Sequence, residues 1–148
     1  MKTDHSFEKQ DHQPFHHEFV VTPDTIDQNG HVNNVVYIQW MQDVAVLHSQ
    51  ICGGTAAIEH IGCSWVVRSH KIVYLSPAYV GDRIKALTWV ADFGKVRSLR
   101  KYIFLREKDE KVLARGETDW VFVKSDTGRP HAIPADVQKC FPLLPDYH

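Results

Sequence analysis

The segment NVVYIQWMQDVAVLHSQ, residues 34–50, constrains the fold more than any other part of the chain. Asn33 or Asn34 suits the cap of a helix, and Gly53-Gly54 suits its end. At about 100° per residue, Gln39, Gln42, Asp43 and Gln50 fall on one narrow stripe. Val36, Tyr37, Ile38, Trp40, Met41, Val44, Ala45 and Leu47 cover most of the remaining circumference. A helix apolar around so much of its surface is predicted to be wrapped by other elements. Trp40, Met41 and Val44 should then be deeply buried.

The rest of the chain supplies the wrapping. Before the helix, PFHHEFVV alternates Phe15, His17, Phe19 and Val21 against His16, Glu18 and Val20, which suits a strand. After it come SWVVRSHKIVYLS, RIKALTWVAD, VRSLRKYIFLRE and KVLARGETDWVFVK, four more strand-like runs. Pro77 and Gly81-Asp82, then Phe93-Gly94-Lys95, then Lys108-Asp109-Glu110 punctuate them. Consecutive strands with short connections pair antiparallel. Gly116 inside the last run marks a bulge or a close backbone approach. AIPADVQKCF reads as a short closing helix. The predicted class is α+β, with about five antiparallel strands around one long central helix. Residues 14–148 form the domain, and 1–13 a polar tail.

Composition narrows the function. The 148 residues are 43% hydrophobic and 24% charged, with a net charge of −1. A duplex-binding surface needs a basic excess that is missing here. No apolar run approaches the length of a membrane span. The N-terminal residues have no apolar core of the kind a secretory signal needs. Cys52, Cys63 and Cys140 are odd in number and lack ligand spacing, so they read as free thiols in a reducing compartment. These features point to a cytoplasmic protein. His5, His12, His16 and His17 read as a solvated tail and strand face. No metal is expected, because Asp24, Asp27 and His31 are not accompanied by a dense ligand set.

The chemistry gathers in DQNGHVNN, residues 27–34. Asp27 lies a turn before the helix, where a carboxylate can activate water, attack directly, or merely cap the turn. Free N–H groups at the helix start, around Asn33 and Asn34, carry partial positive charge and can hold a developing oxyanion. Gly30 lets the backbone turn sharply and leaves room for a substrate. Asn29 is as common in tight turns as in sites. His31 either orients Asp27 or substrate, or packs at the surface. Asp43 is an alternative carboxylate on the polar stripe. Tyr37, Trp40 and Met41 suit a core, a substrate pocket, or both. Lys95 and Arg97 lie at a hairpin tip, available to phosphates or simply solvated.

The order of elements, with DQNGHVNNVVYIQW at the head of the helix, resembles the hotdog-fold thioesterases of the 4-hydroxybenzoyl-CoA thioesterase type. The HVNNVVYI.W run is also similar to plant-type acyl-ACP thioesterases. The likeness runs from about Phe15 to about Asp136, with weaker support from SPAYVGDRI and ARGETDWVFV. The resemblance implies Asp27 as the catalytic carboxylate, base or nucleophile, and the amide at Asn34 as the group that polarises a thioester carbonyl. In the acyl-ACP relatives the matching Asp27, Asn29 and His31 are all implicated. It places CoA-nucleotide contacts at the Lys95–Arg97 hairpin and near TGRPHAIP, hence Arg129 and His131. Arg68, His70 and Lys71 are weaker candidates. Coenzyme A would enter only as part of substrate and product, with no other cofactor. Acyl carrier protein is the other implied thioester carrier, and a homodimer or homotetramer the implied assembly. Two other readings stay open: a hotdog dehydratase using His31 as base, and a module that binds acyl thioesters without turnover.

Overall fold

The computed structural model describes residues 13–148, so the expected tail lies almost wholly outside the described residues. In chain order come β1 (Phe15–Val20), a single 3-10 turn (Pro23–Thr25), α1 (Asn34–Cys52) and α2 (Gly54–Ile58). Then follow β2 (Cys63–Tyr74), β3 (Arg83–Phe93), β4 (Arg97–Arg106), β5 (Lys111–Lys124) and α3 (Ala135–Lys139). The five strands make one antiparallel sheet in the order β1-β3-β4-β5-β2.

The rule that neighbours in sequence pair in space holds for β3-β4-β5 but not for β2 and β3. The connection between them, residues 75–82, is too long and too Pro-interrupted for a tight turn. It is instead tied down as a strap across one end of the sheet. The N–H groups of Leu75 and Ser76 donate to the carbonyl of Leu113, and that of Val32 donates to the carbonyl of Ala78. Gly81 N–H donates to Val21 O and Val21 N–H to Asp82 O. The strap therefore passes from β5, under the residues just before α1, to the end of β1.

Tyr37, Met41, Val44 and Ala45 are the buried residues of α1. Their spacing of 4, 3 and 1 is one helical face. It packs with Ile84, Ala86, Phe104, Leu113 and Ala114 of the sheet. A Cβ on Gly116 would come within 2.9 Å of the Met41 Cε and Sδ atoms, so Gly116 marks the close approach and not a bulge. The register slips lie elsewhere, at Val67/Ser69, Val90/Asp92 and Phe104/Leu105.

The helix is cradled more than wrapped. Val35 is 72% exposed, Val46 50% and Ile51 65%, so the open strip is wider and more apolar than the glutamine stripe suggested. Trp40 is only partly buried, at the rim of the core against Phe19 and Tyr37, with ring centroids 4.9 and 4.8 Å away. The helix also runs two residues beyond Gln50. Gly53 alone takes the left-handed conformation that ends it (φ 94°), and Gly54 begins α2, hidden in the sequence by the paired glycines. The ring of Phe141 covers Gly54, and α3 closes a second apolar cluster with Cys63, Val90 and Phe122.

Candidate functional site

Backbone pairing shapes the motif before α1. Asn33 N–H donates to Thr25 O (2.9 Å), Ile26 bridges Val32, and Asp27 N–H donates to His31 O (2.9 Å). Asp27 and His31 therefore close a small antiparallel loop, with Gly30 at its tip in the left-handed region (φ 87°). Gly30 N–H donates to Asp27 O (3.0 Å), and Asn29 N–H donates to Asp27 Oδ1 (2.8 Å). The half-buried Asp27 carboxylate thus has one oxygen held by the turn. The turn-capping contact weighed from sequence is therefore present, and among the described residues the other carboxylate oxygen has no hydrogen-bond partner.

The helix start follows at once. The Asn33 side chain accepts from Val35 N–H (3.0 Å), and Val36 N–H donates to Asn33 O (2.9 Å). Among the described residues the N–H of Asn34 has no acceptor. It is the uncapped donor of this helix terminus, where the macrodipole places partial positive charge. Beside it opens a cleft of about 260 Å³ whose lining includes His31, Asn34, Tyr37, Tyr74 and Ser76. Tyr74 donates its hydroxyl to Asn34 O (2.7 Å), which fixes the first residue of the helix against the end of β2. The Tyr37 hydroxyl is buried without a partner, and burial, then the nearby Tyr74 and Asp82, pushes its pKa up to about 12. It stays a protonated donor at any physiological pH.

The His31 ring packs edge-on to Tyr79 (6.4 Å between centroids) and makes no hydrogen bond to Asp27 among the described residues. The side chains of Asn29 and Asn34 likewise have no hydrogen-bond partner there. Asp43 accepts from Gln39 Nε2 (2.8 Å) on the exposed strip, away from the motif. Sequence reasoning missed Tyr74, Ser76 and Tyr79. They reach the motif from β2 and the strap some 40 residues later, and no local pattern marks them.

The residues proposed for phosphate recognition gather at the opposite end of the sheet. Ile133 N–H donates to Lys95 O, His131 N–H to Phe122 O, and Phe122 N–H to Val96 O, so the β3-β4 hairpin and the TGRPHAIP segment lie side by side. Lys95 and Arg129 are exposed there. Arg97 is exposed too, but pairs with Asp119, which holds its guanidinium pKa above the usual value. Eleven residues of β3 separate this hairpin from the strap, roughly 35 Å at the rise of a strand. One chain does not bring Asp27 and Lys95 into a single site.

A five-stranded antiparallel sheet of this order packed on one long helix defines a hotdog fold. Residues 21–141 match the model of the thioesterase-like superfamily, and the chain belongs to that family. Among solved structures, a 1,4-dihydroxy-2-naphthoyl-CoA thioesterase from Synechocystis aligns with a TM-score of 0.77 and 19% identity over 85% of this chain and 93% of its own. The 12:0-ACP thioesterase from Umbellularia californica gives a TM-score of 0.77 and 19% identity, covering 86% of this chain and 50% of its own. At these identities the likeness is one of fold. The oleoyl-acyl carrier protein thioesterase 1 of Arabidopsis thaliana chloroplasts is 26% identical over 129 residues, 82% of this chain. The chain spans 35% of the length of that relative. Among the described residues no helix is long and apolar enough to cross a membrane.

Proposed function

We propose that the protein hydrolyses an acyl thioester, most simply an acyl-CoA, to a free acid and a thiol. The observation that carries this reading is the unpartnered Asn34 N–H at the head of α1, with the turn-held Asp27 carboxylate in the loop just ahead of it. Membership of the thioesterase-like superfamily supports it. A thioester carbon is a good electrophile whose carbonyl oxygen gains charge on attack. A backbone N–H at a helix start stabilises that charge. Asp27 acts on the other side of the same carbon, as base toward water or as nucleophile. Gly30 keeps the turn open, Tyr37 lines the acyl side, and Asn29 and His31 position the acid and the water. Acyl carrier protein thioesters are the second candidate substrate, favoured by the relation to the Arabidopsis enzyme.

The working unit in this reading is at least a dimer in the cytoplasm. Strands β1 and β2 are both sheet edges, and the exposed Val35, Val46, Val66 and Val73 lie on α1 and β2. Such edges call for cover. A second copy would also bring the phosphate-binding Lys95, Arg97 and Arg129 of one chain toward the Asp27 of the other, which a single chain keeps far apart.

Thiol release from a panel of acyl-CoAs and acyl carrier protein thioesters tests the activity. Release with turnover is expected. Binding without release would leave only an acyl-thioester module, and hydration of enoyl substrates would favour a dehydratase. Light scattering at micromolar protein tests the assembly, and an active monomer would contradict it.

A further inference from the structure

The far half of α1 covers a second cavity of about 180 Å³ between the helix and the sheet. Its walls are mostly apolar and include Ala45, Val90, Phe93, Trp120 and Phe141. Arg100 of β4 also lines it, at only 5% exposure. Among the described residues no carboxylate lies within ion-pair distance of Arg100. Its Nη1 donates to His48 Nδ1 (2.9 Å) and to Thr88 Oγ1 (3.1 Å). A guanidinium only donates, so His48 is the neutral tautomer with its lone pair on Nδ1. The Arg100 carbon sits 5.5 Å from the centroid of the Phe141 ring. Nε and Nη2 have no hydrogen bond among the described residues.

Burying a cation without an anion is costly. A neutral imidazole, a hydroxyl and a ring face ease that cost without cancelling the charge. Three N–H donors on Nε and Nη2 remain, and that edge of the guanidinium matches the two oxygens of a carboxylate. We propose that this cavity binds a small carboxylate with an apolar body, its oxygens on Arg100 and its body against Phe93, Trp120 and Phe141. An apolar cavity of about 150 Å³ holds a benzene ring, so the volume here suits a body of that size. The planar fork and the apolar walls favour a carboxylate over a more heavily hydrated phosphate.

The site is distinct from the cleft at Asn34 within one chain. Its first helix residue, Ala45, lies eleven positions further along, roughly 17 Å. The carboxylate has two sources: a free acid, or the far end of an acyl group whose thioester is held elsewhere. Binding of the acid does not depend on hydrolysis, so this inference stands or falls apart from the proposed activity.

The test compares benzoate with benzyl alcohol, which shares the ring and lacks the charge, by calorimetry on the unaltered protein. Benzoate is expected to bind about tenfold tighter or more. Arg100→Met keeps the length and removes the charge, and should abolish the preference. Arg100→Lys should keep part of it, with circular dichroism checking that each variant is folded. Equal binding of acid and alcohol would overturn the proposal, and so would a preference that survives in folded Arg100→Met. The comparison on the unaltered protein decides the matter even where a variant does not fold. Faster hydrolysis of adipoyl-CoA than of hexanoyl-CoA, lost in Arg100→Met, would identify the acyl end as the source. Benzoate bound with no effect on hydrolysis would identify a free acid.

Discussion

The two ends of α1 use polar groups in opposite ways. At the N-terminal end the polar groups are continuous in sequence, partly or fully exposed to water, and organised by backbone bonds within residues 25–33. At the C-terminal end His48, Thr88 and Arg100 come from three elements and meet where apolar residues enclose them. A solvated turn can present a charge cheaply and let a substrate reach it. An enclosed cation must be balanced by whatever enters. The first arrangement suits chemistry at a reacting carbon, and the second suits recognition of a charged group.

The largest effect is expected at the open end. Asp27→Asn keeps the shape of the turn, because the amide oxygen still accepts from Asn29 N–H, but removes the basic oxygen. A fall in kcat of about 10²–10⁴-fold is expected, the range for losing a positioned proton acceptor. The thermal midpoint and the Kd of a non-hydrolysable acyl-CoA analogue should hold. A variant that keeps most of its kcat would erase the functional contrast between the ends and turn attention to Asp43.

At the closed end the expected effect is on stability. Burial, then the neighbouring Arg100, lowers the His48 pKa from 6.5 to about 3. The unfolded chain therefore takes up a proton on His48 that the folded chain refuses. No cost arises above pH about 6.5, and stability is lost as pH falls from there toward about 3. By about pH 4.5 the loss is roughly 2–3 kcal/mol. His48→Gln retains an acceptor for Arg100 and does not titrate. Urea unfolding at neutral and acid pH should show a shallower decline for this variant. Equal declines would mean that His48 is more open to water than its packing against Phe15 and Phe141 indicates.

The smallest effect is expected at the hairpin. Replacing Lys95 and Arg97 by Ala should raise KM for acyl-CoA several-fold and make it less sensitive to salt. Hydrolysis of a short thioester without a nucleotide should be almost unchanged. Lys95→Ala alone should account for most of the change, because Arg97 is already engaged by Asp119. Equal loss on both substrates would mean that these residues serve the fold.

How much was legible follows the same division. The strands, the long helix and the Asp27 turn are written in local patterns of period 2, period 3.6 and turn chemistry, and all are found. The strap of residues 75–82 is not legible, because beyond the local Tyr79–Asp82 turn its bonds run to Leu113, Val32 and Val21, far away in sequence. Val35, Val46 and Ile51 are apolar, yet they face outward. Hydrophobicity says that a surface wants cover without saying whether the same chain provides it. Arg100 had no signal, since an arginine in a strand normally reads as solvated and only the fold buries it.

The strap also sets where the chain can change length. Residues 108–110 turn between β4 and β5 in open solvent, held chiefly by the Arg106–Asp109 pair, and extra residues there would displace nothing else. Residues 75–82 fasten β1, β5 and the loop ahead of α1 at once. A single inserted residue would shift the Ala78 carbonyl from Val32 and, through the Tyr74 hydroxyl, disturb the seat of Asn34. Natural or engineered variation in loop length should therefore concentrate at the first segment and spare the second, although both are surface connections.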